Sequence, residues 1–100
     1  TTSCEALWMG VPVITLRGDR YGSRMSTAVL EGAGMPQWIA GSEAEYLTIA
    51  RHAAHQLQVL RQGRAALRAQ LQASALGDAA GLNRTLWQAF AAMPAALRAA

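Results

Sequence analysis

The chain has 100 residues, 52% hydrophobic and 15% charged, which suits one small globular domain at most. Its net charge is +3, and its nine basic residues are all arginine and lie scattered along the chain. Nucleic-acid-binding proteins cluster their cations among aromatic residues, so this pattern argues against a nucleic-acid partner. Cys4 has no second cysteine to pair with, and no apolar run is long enough to cross a bilayer, so we expect a cytoplasmic protein with no membrane partner.

The first predicted element is a short helix. Its start carries a capping-box pattern, with Thr2 as the N-cap and Glu5 three residues later, and Gly10 is a natural end. Residues 12–16 then form a β-branched apolar run of the kind found in buried parallel strands. Pro12 stands at the first position of that strand, where its missing N–H does least harm.

A polar loop over residues 17–22 leads into a second predicted helix over residues 23–31. Helical spacing places Met25, Ala28 and Val29 on one face of it, which we expect to be its apolar face. Glycines at the end of this segment are typical helix terminators.

Residues 36–40 are expected to be extended and to form an edge strand. The most regular pattern of the chain follows. Ser42 and Glu45 make a second capping box, and apolar residues then recur at helical spacing as far as Gly63, at Leu47, Ala50, Ala54, Leu57 and Leu60. One long helix is therefore predicted after Ser42.

Two more helices are predicted, over residues 64–73 and from Leu82 to Met93, the second ended by Pro94. The apolar face of the last helix is expected to carry Leu82, Leu86, Phe90 and Met93, with Trp87 beside them. The element order predicts the closing part of an α/β domain, with residues 1–41 as the α/β portion and residues 42–100 as a helical segment of the same domain.

The start of the first helix is the best candidate for chemistry. A helix N-terminus presents free N–H groups and the positive end of the helix dipole, and both favour a phosphate. Hydroxyl groups on Thr1 and Thr2 could donate to phosphate oxygens, and the Glu5 carboxylate could accept hydrogen bonds from two vicinal hydroxyls of a ribose. The alternative is that Thr2 and Glu5 only cap each other.

These residues also resemble a known family. Glu5-Ala6-Leu7 followed by Gly10-Val11-Pro12-Val13 resembles the acidic-residue, helix, Gly-x-Pro-strand signature of sugar-nucleotide domains in glycosyltransferases of GT-B architecture. The closer similarity is to the O-GlcNAc transferase family, and it rests on Thr1-Thr2, Leu7-Trp8, Gly18-Asp19, Ser23-Arg24 and Met35-Pro36-Gln37-Trp38-Ile39-Ala40.

The resemblance implies a C-terminal fragment of the catalytic region: part of a GT-B Rossmann-like nucleotide-binding domain, α/β in class, mostly helical with one or two short parallel strands. It implies transfer of a sugar, commonly N-acetylglucosamine, from UDP-GlcNAc or a related UDP-sugar to a protein or peptide acceptor. Thr1 and Thr2 would contact the UDP diphosphate, and Glu5 would contact the ribose, where many relatives have Asp.

The resemblance places the catalytic base and the uracil-reading residues upstream, so we expect no catalytic residue within this chain. It implies no cofactor and no metal. Two departures from the family pattern stand near the C-terminal loop, namely Ala75 where relatives often have Pro and Gly77 where an aromatic residue is usual.

Other chemical groups have weaker support. Arg17, Arg20 and Arg24 flank the loop after the first strand, where one of them could reach a phosphate or an acceptor peptide, or where Arg24 could simply pair locally.

His52 and His55 are spaced as two metal ligands can be, but no third ligand is evident, and surface histidines are expected. Cys4 is expected to be a packed thiol and not a nucleophile.

Two other functions remain open. The first is a different GT-B activity, such as a hexosyltransferase or a UDP-sugar epimerase. The second is a non-catalytic helical interaction module, which the Ala-rich amphipathic helices from Ser42 onward would support. The apolar face around Trp87 and Phe90 also raises the possibility of self-association.

Overall fold

The computed structural model describes residues 1–99, and most of them are helical. The helices are α1 (Thr2–Trp8), α2 (Met25–Gly32), α3 (Glu43–Ala54), α4 (Leu57–Gln62), α5 (Arg64–Ala73) and α6 (Ala79–Ala99). The strands are β1 (Thr15–Leu16) and β2 (Ile39–Ala40), and 3₁₀ turns occupy Gly22–Arg24, Pro36–Trp38 and Ala75–Gly77. The predicted mainly helical α/β fragment is confirmed at this level.

The two strands pair in parallel through a crossover that contains α2. Thr15 lies opposite Ile39, and Leu16 lies opposite Ala40. Both strands are shorter than predicted. The second is shortened because Pro36 occupies the first turn of a 3₁₀ segment, a position that suits its fixed φ and its missing N–H. The parallel pairing itself is confirmed, and the edge position of the second strand stays a prediction.

The core lies between α1, α2 and α5. Its buried side chains are Leu7 from α1, Leu30 and Ala33 from the end of α2, Met35 from the segment after α2, and Leu71 from α5. Leu71 comes from the predicted helical segment 42–100, so that segment shares one core with residues 1–41. The boundary between the two segments stays a prediction.

The predicted apolar face of α2 is wrong in part, because Val29 packs against the core but Met25 and Ala28 do not. Met25 is 51% exposed and Ala28 is also exposed, whereas Thr27 and Leu30 are buried. The buried face is selected by packing on α1, where Ser26 lies against Ser3, so hydrophobicity alone did not identify it.

The two predicted capping boxes have different outcomes. At α1 the N-cap is Thr1, the helix begins at Thr2, and no side chain caps it, so the Thr2–Glu5 box is wrong. Before α3 the box is confirmed. The Glu45 N–H donates to Ser42 Oγ at 3.1 Å, and Glu45 Oε2 accepts from the Gly41 N–H at 2.7 Å.

The long helix predicted after Ser42 is interrupted. It ends at Ala54 and resumes at Leu57, because Gln56 adopts φ −118° and its N–H bonds to the carbonyl of Ala53, three residues back instead of four. Its apolar residues are also less covered than expected, with Leu47 52% exposed and Leu57 56% exposed.

The last helix is longer than predicted at both ends. It starts at Ala79, where Asp78 Oδ1 accepts from the Gly81 N–H at 2.9 Å, and it continues through Pro94 to Ala99. Proline inside a helix removes one hydrogen bond and costs about 3 kcal/mol, but the Ala-rich flanks have the highest helix propensity. The predicted end at Pro94 is therefore wrong.

We predict that Gly10→Ala destabilises the chain by at least about 2 kcal/mol. Gly10 has φ +76°, and a Cβ there would stand 2.5 Å from the Arg64 carbonyl oxygen. Chemical denaturation measures the change. Gly22→Ala is the matched control, because nothing lies within 4 Å of its Cβ position. Equal loss of stability in both variants would show that the close approach at Gly10 is unimportant.

Candidate functional site

The first turn of α1 presents the three side chains that the sequence singles out. Thr1, Thr2 and Glu5 are all exposed, and the Glu5 N–H bonds to the Thr1 carbonyl at 3.0 Å, which sets them on one helical turn. Among residues 1–99 none of the three side chains is hydrogen bonded to another residue. Their hydroxyl and carboxylate groups are therefore available to a ligand.

The C-terminal end of α1 is attached to α5. The Arg64 guanidinium donates from Nε and from Nη2 to the Met9 carbonyl, at 3.1 and 2.8 Å. Gly10 follows in the left-handed region and passes close to the Arg64 backbone. These contacts turn the chain sharply from α1 toward β1 and hold the axis of α1 against α5.

The N-terminal end of α1 is attached to α2. Ser3 Oγ lies 2.9 Å from Ser26 Oγ, and the contact is partly buried. Between the two attachments Leu7 is fully buried in the core. A helix of seven residues is too short to be stable alone, so these tertiary contacts determine where its first turn points.

A cavity of about 750 Å³ opens beside this turn. Its walls come from α1, α5 and the 3₁₀ turn before α6, and they consist of Cys4, Glu5, Trp8, Met9, Leu71, Gln72, Leu76 and Gly77. Glu5 is the acidic residue of this set, and most of the others are apolar. Thr1 and Thr2 do not line the cavity, but they precede Glu5 on the same exposed turn.

Sequence reasoning missed two features of the cavity wall. The Arg68 guanidinium lies 4.1 Å from the ring centroid of Trp8, a cation–π contact between α5 and α1. Gly77 approaches the Gln72 backbone so closely that a Cβ would collide with the Gln72 carbonyl oxygen. Neither of these two contacts could be predicted from spacing along the chain, because both depend on how α5 packs.

The arginines of the loop after β1 have separate roles. Arg17 forms an ion pair with Glu31, with Nη2 and Oε1 2.7 Å apart. Arg20 and Arg24 are exposed. The loop closes on the Ser23 hydroxyl, which donates to the Arg20 carbonyl at 3.0 Å. Within residues 1–99 the ion pair therefore involves Arg17 and not Arg24.

The histidines and the cysteine lie away from any cluster of ligands. His52 is in the last turn of α3, His55 caps its end, and both are exposed. Cys4 is a half-buried free thiol in the cavity wall. No group of three potential metal ligands is found within residues 1–99. Over the same residues, no helix combines the length and the apolar character that a bilayer crossing requires.

Comparison with known proteins identifies similar sequences. The model of the family described as Glycosyl transferase family 41 matches residues 1–86. A protein of Oryza sativa subsp. japonica named probable UDP-N-acetylglucosamine--peptide N-acetylglucosaminyltransferase SPINDLY is 32% identical over 90 residues, which cover 90% of this chain and 10% of that protein.

Two further relatives carry related names. A Hordeum vulgare protein with the same name is 31% identical over 93 residues, or 93% of this chain and 10% of its own. A Caenorhabditis elegans UDP-N-acetylglucosamine--peptide N-acetylglucosaminyltransferase is 36% identical over 50 residues, or 50% of this chain and 4% of its own. The chain thus spans about one tenth of the length of the plant relatives.

We predict that Arg64→Ala loosens α1 and lowers the free energy of unfolding by about 1 kcal/mol, because it removes both side-chain hydrogen bonds to the Met9 carbonyl. Denaturant titration measures this change, and hydrogen exchange of the Leu7 and Met9 amides should become faster. Arg84→Ala, an exposed arginine on α6, is the control and should change neither. Unchanged exchange in Arg64→Ala would contradict the assigned role.

Proposed function

The chain belongs to glycosyl transferase family 41, and we propose that it forms part of a UDP-sugar-dependent glycosyltransferase in which the first turn of α1 holds the nucleotide. The names of the relatives specify UDP-N-acetylglucosamine and a peptide. We propose the same classes of donor and acceptor for the enzyme that contains this chain. The donor is UDP-GlcNAc or a related UDP-sugar, and the acceptor is a side chain of a protein or peptide.

The diphosphate contacts are assigned to Thr1 and Thr2. Both hydroxyl groups are exposed and have no partner among residues 1–99. The backbone N–H groups of the first turn and the dipole of α1 also favour an anion at this point. This exposed turn with uncommitted polar groups is the observation that carries the proposal.

The ribose contact is assigned to Glu5. A carboxylate accepts two hydrogen bonds from vicinal hydroxyl groups, and Glu5 stands one turn further along α1, at the edge of the cavity. The rise of roughly 1.5 Å per residue puts Glu5 about 5 Å along the axis from Thr2, so the two side chains can contact different parts of one nucleotide.

The proposed chemistry of this chain is electrostatic. Cleavage of the bond between the sugar and UDP increases the negative charge on the departing diphosphate. Fixed hydroxyl and backbone donors stabilise that charge without having to reorganise. The chain then supplies no base and no nucleophile, and we propose that transfer proceeds without a metal or a cofactor.

The architecture follows from the same family membership. We propose that β1, α2 and β2 belong to a GT-B Rossmann-like domain, with the nucleotide at the end of the parallel strands. The names of the relatives favour a peptide glycosyltransferase over a hexosyltransferase or an epimerase.

We predict that Thr2→Ala and Glu5→Ala each weaken UDP binding by at least roughly tenfold, because each removes a hydrogen bond in which one group is charged, worth about 1.5–3 kcal/mol. Titration of the chain with UDP, followed by NMR or calorimetry, measures the change. Thr48→Ala and Glu43→Ala are the matched controls on α3 and should bind UDP as the parent does. If Thr2→Ala and Glu5→Ala also match the parent, the site assignment is wrong.

A second titration separates the two contacts. We predict that 2′-deoxy-UDP binds the parent more weakly than UDP does. This difference should disappear in Glu5→Ala, because the ribose 2′-hydroxyl and the Glu5 carboxylate are the two partners of one hydrogen bond. In Thr2→Ala the difference should persist. A difference that survives in Glu5→Ala would assign the ribose to another residue.

The activity itself is tested on an enzyme that contains this sequence. Incubation with an acceptor peptide and UDP-GlcNAc should increase the peptide mass by one N-acetylhexosamine residue, and a chelator should not prevent it. A hexose product from another UDP-sugar, or an epimerised sugar with the peptide unchanged, would instead favour the alternative GT-B activities.

A further inference from the structure

Among residues 1–99, the first turn of α1 makes one side-chain hydrogen bond to another element. Ser3 Oγ lies 2.9 Å from Ser26 Oγ of α2, so one hydroxyl donates to the other. We propose that Ser26 is a positioning residue for the nucleotide. Through Ser3 it fixes the turn that presents Thr1 and Thr2 to the diphosphate, and this role rests on the nucleotide site proposed above.

Helix α2 holds Ser26 at a fixed place. Thr27 and Leu30, which follow it on α2, are buried, with exposed fractions of 3% and 0%. The ion pair of Arg17 with Glu31 joins the last turn of α2 to the end of β1. Ser26 is therefore fixed by the core and by the strand pair. Its hydroxyl gives α1 a point of attachment whose position does not depend on α1 itself.

The other attachments of α1 lie toward its C-terminal end, where Leu7 is fully buried. At about 1.5 Å per residue, Leu7 stands about 9 Å along the axis from Thr1, so a small tilt of the helix displaces the first turn most. Helix ends also fray, and the N-cap of α1 has no side-chain hydrogen bond to oppose this. Ser3 stands between Thr1 and Glu5, so its bond to Ser26 acts within the turn that is proposed to bind.

The expected effect is on the affinity for the diphosphate. Without the bond between Ser3 and Ser26, the turn would spend part of its time in arrangements that cannot hold a phosphate, and the nucleotide would have to restore the order on binding. The loss of affinity is limited by what one neutral hydrogen bond contributes, which is roughly fivefold. Uridine lacks the phosphates, so its affinity should change little.

Calorimetric titration of an enzyme that contains this sequence, with UDP and with uridine, tests the proposal. Ser26→Ala should weaken UDP binding roughly fivefold and leave uridine binding within about twofold of the parent. Ser3→Ala should have the same effect. The double variant should bind UDP no more weakly than either single variant, because each substitution removes the same bond.

Thr27→Val is the matched control. It removes the neighbouring hydroxyl of α2, which has no hydrogen-bond partner in the described part of the chain, and it keeps the shape of the side chain. UDP should therefore bind Thr27→Val as it binds the parent. If Thr27→Val and Ser26→Ala weakened UDP binding equally, the effect would belong to α2 as a whole, and the role of Ser26 would be wrong.

Three other results would overturn the positioning role. They are equal losses for UDP and uridine, losses that add in the double variant, and UDP binding that Ser26→Ala leaves unchanged. Thr2→Ala separates these results from failure of the site itself. If Thr2→Ala also binds UDP as the parent does, the proposed nucleotide site is wrong. If Thr2→Ala weakens UDP binding and Ser26→Ala does not, only the role of Ser26 is wrong.

Discussion

The attachment of α1 to α5 is the contact on which the remaining structure depends. The Arg64 guanidinium donates to the carbonyl of Met9, the residue that caps the end of α1. Gly10 follows with a backbone conformation that residues with a Cβ rarely adopt. Gly10 and Arg64 are 54 residues apart in sequence. Because of this contact, α1 runs from an anchored end to an exposed first turn, and Leu7 enters the core between them.

The same arrangement divides α1 into two functional faces. The side with Leu7 and Ser3 supports the structure, while the side with Glu5 and the first two threonines faces solvent and the cavity. A short helix with polar groups at an exposed N-terminus can bind an anion because its position is set by other elements and its own donors are free. The site that we propose for the nucleotide uses the solvent-facing side of α1.

Much of this could be predicted from the sequence. Local signals identified both strand segments, the Ser42 cap and the approximate positions of the helices, with α3 and α4 joined into one, since turn and capping chemistry act over a few residues. The buried face of α2 and the Arg64 contact depend on distant packing, which periodicity does not record. The break at Gln56 was missed because the apolar spacing continues through it. At the site, Thr1, Thr2 and Glu5 could be singled out from the sequence. The cavity beside them could not, because α5 and the turn before α6 form its other walls.

The close approach of Gly77 to the Gln72 carbonyl limits which residues the turn between α5 and α6 accepts. A Cβ at position 77 would collide with the Gln72 carbonyl oxygen. Any side chain there, including the aromatic ring that the family resemblance leads one to expect, requires the turn to move away from α5. Glycine at this position and the tight turn therefore depend on each other.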